Sequence, residues 1–201
     1  EASAARVGGD CPVVPDVYDA ARWILNDLAL REAPGDATLA RKLRTPGQLR
    51  PVVAALKAAG KSVVFANGCF DLLHGGHVSF LEDARAAGDC LVLGVNSNAS
   101  ITRLKGAGRP LLREGERLQL LAALRCVDFL TVFHDDSADE ALEEIHPSAH
   151  AKGTDYRGDN VPELATTRRL GIRTVIAGDA KENSTRDILA VIRERAAAGQ
   201  L

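Results

Sequence analysis

Short apolar runs alternate with stretches in which apolar residues recur every three or four positions, and this alternation fills the chain from residue 45 onward. Ser62-Val63-Val64-Phe65-Ala66 is short, apolar and β-branched, which predicts a buried strand. From His77 the period lengthens, with Val78, Leu81, Ala84 and Arg85 spaced as on one helix face, and a helix is expected over 77–87. The pattern repeats as strand 89–95, helix 114–124, strand 127–133, helix 137–145, strand 149–152, helix 162–170, strand 172–177 and a last helix over 184–197. Thr45-Pro46 opens a helix as N-cap and first residue, and Gly60 closes it. Ser137 and Ser184 are the expected N-caps of their helices, and Gly171 is a helix stop.

Five strands alternating with helices predict a Rossmann-like, doubly wound, five-stranded parallel sheet covered on both faces. Right-handed crossovers wind such a sheet, and ligands bind outside the carboxyl ends of its strands at the switch point. The first strand is expected to end at Ala66, which puts Asn67 to His77 at that crevice. Residues 1–44 differ. They carry Gly8, Gly9, Pro12, Pro15 and Pro34 and one plausible helix over 17–30 with Trp23, Ile24 and Leu28. They are expected to form a partly helical N-terminal extension that docks on the main domain, residues 45–201, or on a second subunit.

Composition narrows the picture only slightly. A 201-residue chain with 46% hydrophobic residues is ordinary for a chain that buries a core. A net charge of −2 gives no general argument for nucleic acid or membrane, so neither is expected as a partner, and any anion site must come from local placement. There is no run of eighteen apolar residues and no apolar core near the first residue. Cys11, Cys69, Cys90 and Cys126 show no pairing or C-x-x-C pattern, which fits a reduced, cytoplasmic setting.

The candidate chemistry lies on the first strand-to-helix turn. His74 and His77 flank Gly75 and Gly76 where the helix begins. The glycines let a large anion approach the backbone, and the imidazoles can donate to phosphate oxygens. A structural pair or a metal-ligating pair is the alternative; zinc needs three or four ligands, Cys69 could be a third, and no fourth is evident. Lys105 begins a Gly-rich stretch, Lys105-Gly106-Ala107-Gly108, suited to a lid over a triphosphate, or is a plain solvated lysine. Asp71 is expected to hydrogen-bond nearby backbone N–H groups and shape the turn, with a substrate contact as the alternative. Arg117 sits on a helix and could pair at the surface with Glu114 or Glu116.

Asn67-Gly68-Cys69-Phe70-Asp71-Leu72-Leu73-His74-Gly75-Gly76-His77 resembles the G-x-F-D-x-x-H-x-G-H signature of the cytidylyltransferase-like nucleotidyltransferases. Asn96-Ser97-Asn98, Arg103 to Gly106, Gly108-Arg109-Pro110, Glu116-Arg117, Leu121 to Asp128 and Lys152-Gly153-Thr154-Asp155-Tyr156 follow in order. These most resemble the branch that makes ADP-heptose from ATP and D-glycero-β-D-manno-heptose 1-phosphate, and the likeness covers roughly residues 42–195. The resemblance implies attack of a sugar phosphate on the α-phosphorus of a nucleoside triphosphate, with His74, His77 and Lys105 catalytic. It implies nucleotide contacts from Asn67, Gly68, Cys69, Phe70, Asp71, Gly76, Asn96, Arg117, Lys152, Gly153, Asp155, Ser184 and Thr185. It further implies Mg²⁺ held mainly by the phosphates, with no metal-ligating protein residues, and a homodimer. The family usually reads Gly-x-Ser-Thr before the last helix, whereas this chain has Lys181-Glu182-Asn183-Ser184-Thr185-Arg186. CTP with glycerol 3-phosphate or another polyol phosphate is the alternative pair, and a non-catalytic nucleotide-binding module the alternative of another class.

Overall fold

The computed structural model describes residues 37–156, 160–179 and 185–200. The expected helix over 17–30, Trp23, Cys11 and Ser184 lie outside them. In chain order the elements are α1 (Ala37–Lys42), α2 (Pro46–Ala58), β1 (Val63–Gly68), α3 (Gly75–Ala86), β2 (Cys90–Asn96), α4 (Asn98–Lys105) and α5 (Glu114–Ala122). They continue with β3 (Phe129–Phe133), α6 (Asp139–Ile145), β4 (Ala149–Gly153), α7 (Leu164–Leu170), β5 (Arg173–Ala177) and α8 (Thr185–Ala197).

The five strands form one parallel sheet in the order β3-β2-β1-β4-β5. Winding proceeds outward from β1 through β2 to β3, then crosses back to β4 and β5, so the switch point lies between β1 and β4. Alternate residues of each strand feed opposite layers. Val64, Ala66, Leu91, Leu93 and Leu130 pack with Leu81 and Ala84 of α3 and Leu118 and Leu121 of α5. Val63, Phe65, Val92 and Phe133 pack with Leu49 and Val53 of α2 and Leu142 and Ile145 of α6. A strand buried on both faces has to be apolar throughout, and every residue of β2 is buried.

Several boundaries depart from the sequence reading for identifiable reasons. The β1 ladder runs on past Ala66, with Asn67 opposite Gly94 and Gly68 opposite Val95. Gly94 is itself required there, because a Cβ would stand 2.6 Å from the Phe65 ring. An unforeseen helix, α4, spans Asn98–Lys105; Ser97 caps it by accepting from the Ser100 N–H. Ile101 and Leu104 are the only large apolar residues in that stretch, too few to mark a face. Ser137 does not cap α6: its hydroxyl donates to Asp139 Oδ2, and Ala138 is the N-cap. Thr45 does cap α2, in a reciprocal capping box with Gln48. Residues just before α2 also join the sheet edge, since Leu43 bridges Leu130 and the Arg44 N–H donates to the Leu130 carbonyl.

Candidate active site

The carboxyl ends of the neighbouring strands β2, β1 and β4 lie side by side at one edge of the sheet, and the signature turn follows directly on β1. Phe70 adopts φ +47°, a left-handed conformation that is uncommon for an aromatic residue. Its ring is buried and lies against Gly68, where a Cβ would be 3.0 Å from it. The turn then enters α3 with His74 as N-cap in extended backbone, leaving the first helical N–H groups uncapped by any side chain of His74. The His74 and His77 rings stack with centroids 3.8 Å apart, and Phe70 meets the His77 ring at 5.2 Å. Gly75 has no close neighbour, so neither packing nor a positive φ calls for glycine at that position. Gly76 follows it in the exposed first turn.

Two clamps hold this turn. Asp71, 1% exposed, accepts from the Leu111 and Leu112 N–H groups through one oxygen at 2.7 and 3.0 Å. Its other oxygen is 3.1 Å from Arg109 Nη1. The carboxylate therefore fastens the 109–112 loop onto the turn instead of shaping its own turn alone. Arg117 is the second clamp and is fully buried, so the surface pairing with Glu114 or Glu116 gives way to interior contacts. Its Nη1 donates to the carbonyls of Cys69 and Asn96 at 2.8 and 2.9 Å, its Nε to the Leu112 carbonyl at 3.3 Å, and its Nη2 to Asn98 Oδ1 at 3.0 Å. One planar guanidinium thus ties together the ends of β1 and β2, the start of α4 and the entry to α5.

Lys105 is the last residue of α4 and not part of the loop; Gly106 and Gly108 follow at φ +90° and +83°. It is exposed, yet near enough to Cys69 to act on its thiol. Burial pushes that thiol up, while Lys105 and Arg117 draw it the other way, and the net shift is upward. A neutral thiol is a poor nucleophile, so the site offers no activated cysteine. Asn96 is buried with its amide donating to Ser100 Oγ at 2.9 Å and its oxygen 3.9 Å from Cys69 Sγ.

From β4, Lys152 and His150 point to the same side, two residues apart, and both reach Asn67. Lys152 is 4% exposed and pairs with Glu163 at 2.8 Å, while its ammonium lies 4.9 Å from the Tyr156 ring centre. Burial is the largest single influence and pushes the Glu163 carboxyl up, but the Lys152 charge and hydrogen bond, joined by His150 and a backbone hydrogen bond, together hold the group below its ordinary value. Gly153 leaves room for Asp155, whose carboxylate would be 2.8 Å from a Cβ there. Thr185 opens α8 against the same turn, its hydroxyl 3.5 Å from the Leu72 carbonyl. Arg186 is exposed.

The structure therefore brings together Asn67 to Asp71, Asn96, Arg117, Lys152 and Thr185, with His74 and His77 at the helix start. A family model described as cytidylyltransferase-like matches residues 65–191. The chain belongs to the cytidylyltransferase-like family. This cytidylyltransferase-like chain is a nucleotidyltransferase. It is 41% identical over 86% of its length to the bifunctional protein HldE of Pelobacter propionicus, and 43% identical over 83% to HldE of Geobacter sulfurreducens. It covers only 34% and 33% of those proteins, about a third of each. A solved lipopolysaccharide core biosynthesis protein from Thermoplasma volcanium shares 29% identity at a TM-score of 0.53, covering 61% of this chain and all of that one.

Of the residues gathered at this site of the nucleotidyltransferase, His150 and Glu163 belong to none of the motifs in its sequence. Period-two spacing on β4 could have flagged His150 beside Lys152; nothing local marks Glu163, which reaches Lys152 from across a loop. A separate cavity of about 560 Å³, lined by Arg44, Gln48, Phe133, His134, Glu140 and Glu144, lies beside β3 and contains none of the signature residues.

His150 also gives the fold a pH dependence. It is fully buried, and desolvation, helped by the Lys152 charge, lowers it from 6.5 to about 4. Between these values the unfolded chain takes up a proton that the folded chain refuses. Stability is complete above the unfolded value and falls as pH drops toward 4, by about 1.4 kcal/mol per pH unit and ~3 kcal/mol in all. Urea unfolding at pH 7 and pH 5 should show this loss, and His150→Leu should flatten it.

Proposed function

We propose that ATP and D-glycero-β-D-manno-heptose 1-phosphate meet at this crevice and yield ADP-heptose and pyrophosphate. A phosphate oxygen of the sugar phosphate attacks the α-phosphorus; the bond from that phosphorus to the bridging oxygen breaks, and pyrophosphate leaves with the electron pair. The observation that carries this reading is the stacked His74–His77 pair at a helix start, beside a glycine that the fold itself does not require. Imidazole N–H groups there supply hydrogen bonds to oxygens whose charge grows as the transition state forms. Lys105, at the rim, adds a mobile positive charge over the β- and γ-phosphates. Asn67, Asn96 and the backbone from Gly68 to Asp71 line the nucleotide, Gly153, Asp155 and Thr185 complete its surroundings with Lys152 behind Asn67, and Ser184, outside the described residues, is the further contact that the resemblance implies.

Mg²⁺ fits this reading as a companion of the phosphates. The carboxylate closest to the signature, Asp71, is committed to Leu111, Leu112 and Arg109, and no group of three or more His, Cys, Asp or Glu among the described residues could hold a metal. The ion supplies charge neutralisation on the triphosphate when bound. The proposal extends to a transferase unit over residues 45–201 acting as a cytoplasmic homodimer. Cys69, Cys90 and Cys126 are free, which suits a reducing compartment. Among the described residues no helix is long and apolar enough to cross a membrane.

CTP with glycerol 3-phosphate is the second reading; Lys181-Glu182-Asn183, which departs from the glycine-bearing sequence usual before this helix, weakens the distinction between the two pairs. Pyrophosphate release should be measured with each nucleoside triphosphate against heptose 1-phosphate and a panel of polyol phosphates. ATP with heptose 1-phosphate is expected to outrun every other pair. A faster reaction with CTP and glycerol 3-phosphate would replace the first reading, and no release with any pair would overturn both.

A further inference from the structure

Asn67 stands at the carboxyl end of β1, facing β4 across the switch point. Its side-chain oxygen lies 3.2 Å from Lys152 Nζ and 2.9 Å from His150 Nε2. An ammonium only donates, so the atom that faces Lys152 must be the amide oxygen. The same oxygen faces His150, so Nε2 carries the hydrogen and donates. With both donors on its oxygen, the Asn67 amide has its NH₂ turned away from β4. Glu163 completes the group: Oε2 is 2.8 Å from Lys152, and Oε1 accepts from the Ala138 N–H at 3.3 Å, anchoring the carboxylate to the start of α6. Lys152, His150 and Glu163 are 4%, 0% and 2% exposed, so the three present almost no surface of their own to a ligand.

We propose that His150, Lys152 and Glu163 are positioning residues that lock the Asn67 amide with its NH₂ directed at an oxygen of the bound nucleotide. This rests on the reading that a nucleoside triphosphate occupies the crevice. Lys152 then serves the nucleotide through Asn67, and the buried Glu163 carboxylate is what allows an ammonium to sit there.

A double-mutant cycle read by calorimetric titration with ATP, without acceptor, tests the arrangement. His150→Leu should weaken ATP binding about 5–10-fold, the order expected for one lost hydrogen bond, and Asn67→Ala at least as much. Combining them should add no more than about twofold to Asn67→Ala, because neighbours acting through one contact are not additive. His150→Gln, whose amide can still donate to Asn67, should stay within about threefold of the wild type. If His150→Leu does not fold, Glu163→Gln takes its place in the same cycle. Effects that multiply, or an unchanged affinity in the first variant, overturn the positioning role while the site itself stands. A folded wild-type protein that binds neither ATP nor CTP overturns both the lock and the site.

Discussion

Replacing His77 with alanine is expected to lower kcat about 10²–10³-fold, the usual loss when one preorganised donor to a developing charge is removed. The melting temperature should hardly move. The side chain is only partly buried at the crevice, stacked on His74 and edged by Phe70, so its removal opens the site and not the core. Single-turnover pyrophosphate release separates this from a binding defect: the chemical step should slow while nucleotide affinity changes little. Turnover near the wild-type rate would take His77 out of the mechanism.

Arg117→Met is expected to act in the opposite way, on the fold first. The substitution keeps much of the volume but strips donors from the Cys69, Asn96 and Leu112 carbonyls and from Asn98. Each buried acceptor left unpaired costs about 1–3 kcal/mol, with partial relief where water enters, so a total of about 3–5 kcal/mol is expected. Burial lowers the Arg117 guanidinium, with Glu114, Cys69 and Asp71 acting against that, and the side chain stays a cation inside the protein. Urea unfolding reads the effect directly. Arg117→Lys should recover little, since one ammonium cannot reproduce a planar fork that reaches four oxygens. A variant as stable as the wild type that had lost nucleotide affinity would instead make the guanidinium a phosphate ligand.

The two predictions divide along a line that runs through the whole molecule. His77 was legible because a strand-to-helix turn bearing two histidines and bare glycines is a local pattern, and local patterns survive in one dimension. Arg117 was half legible: its place on a helix could be read, but whether it faced Glu114 or the interior depends on strands tens of residues away. Lys152 shows the same limit. Its sequence neighbours suggest a turn near the nucleotide, while its actual partners, Asn67 and Glu163, come from β1 and from the approach to α7. Asp71 was expected to bond backbone N–H groups near it in the chain; the groups it accepts from belong to residues forty positions later.

The amino-acid order alone determined the alternation of strand and helix, the wrapping of a parallel sheet on both faces and the turn that bears the histidine pair. Those follow from periodicity, capping and glycine placement, all of which act over a few residues. Tertiary structure alone decided where β1 ends, that Lys105 closes a helix, and which buried charges are partners. The reason is physical: a strand stops where its neighbour stops pairing with it, and a charge can leave water only where the folded chain delivers its counter-charge.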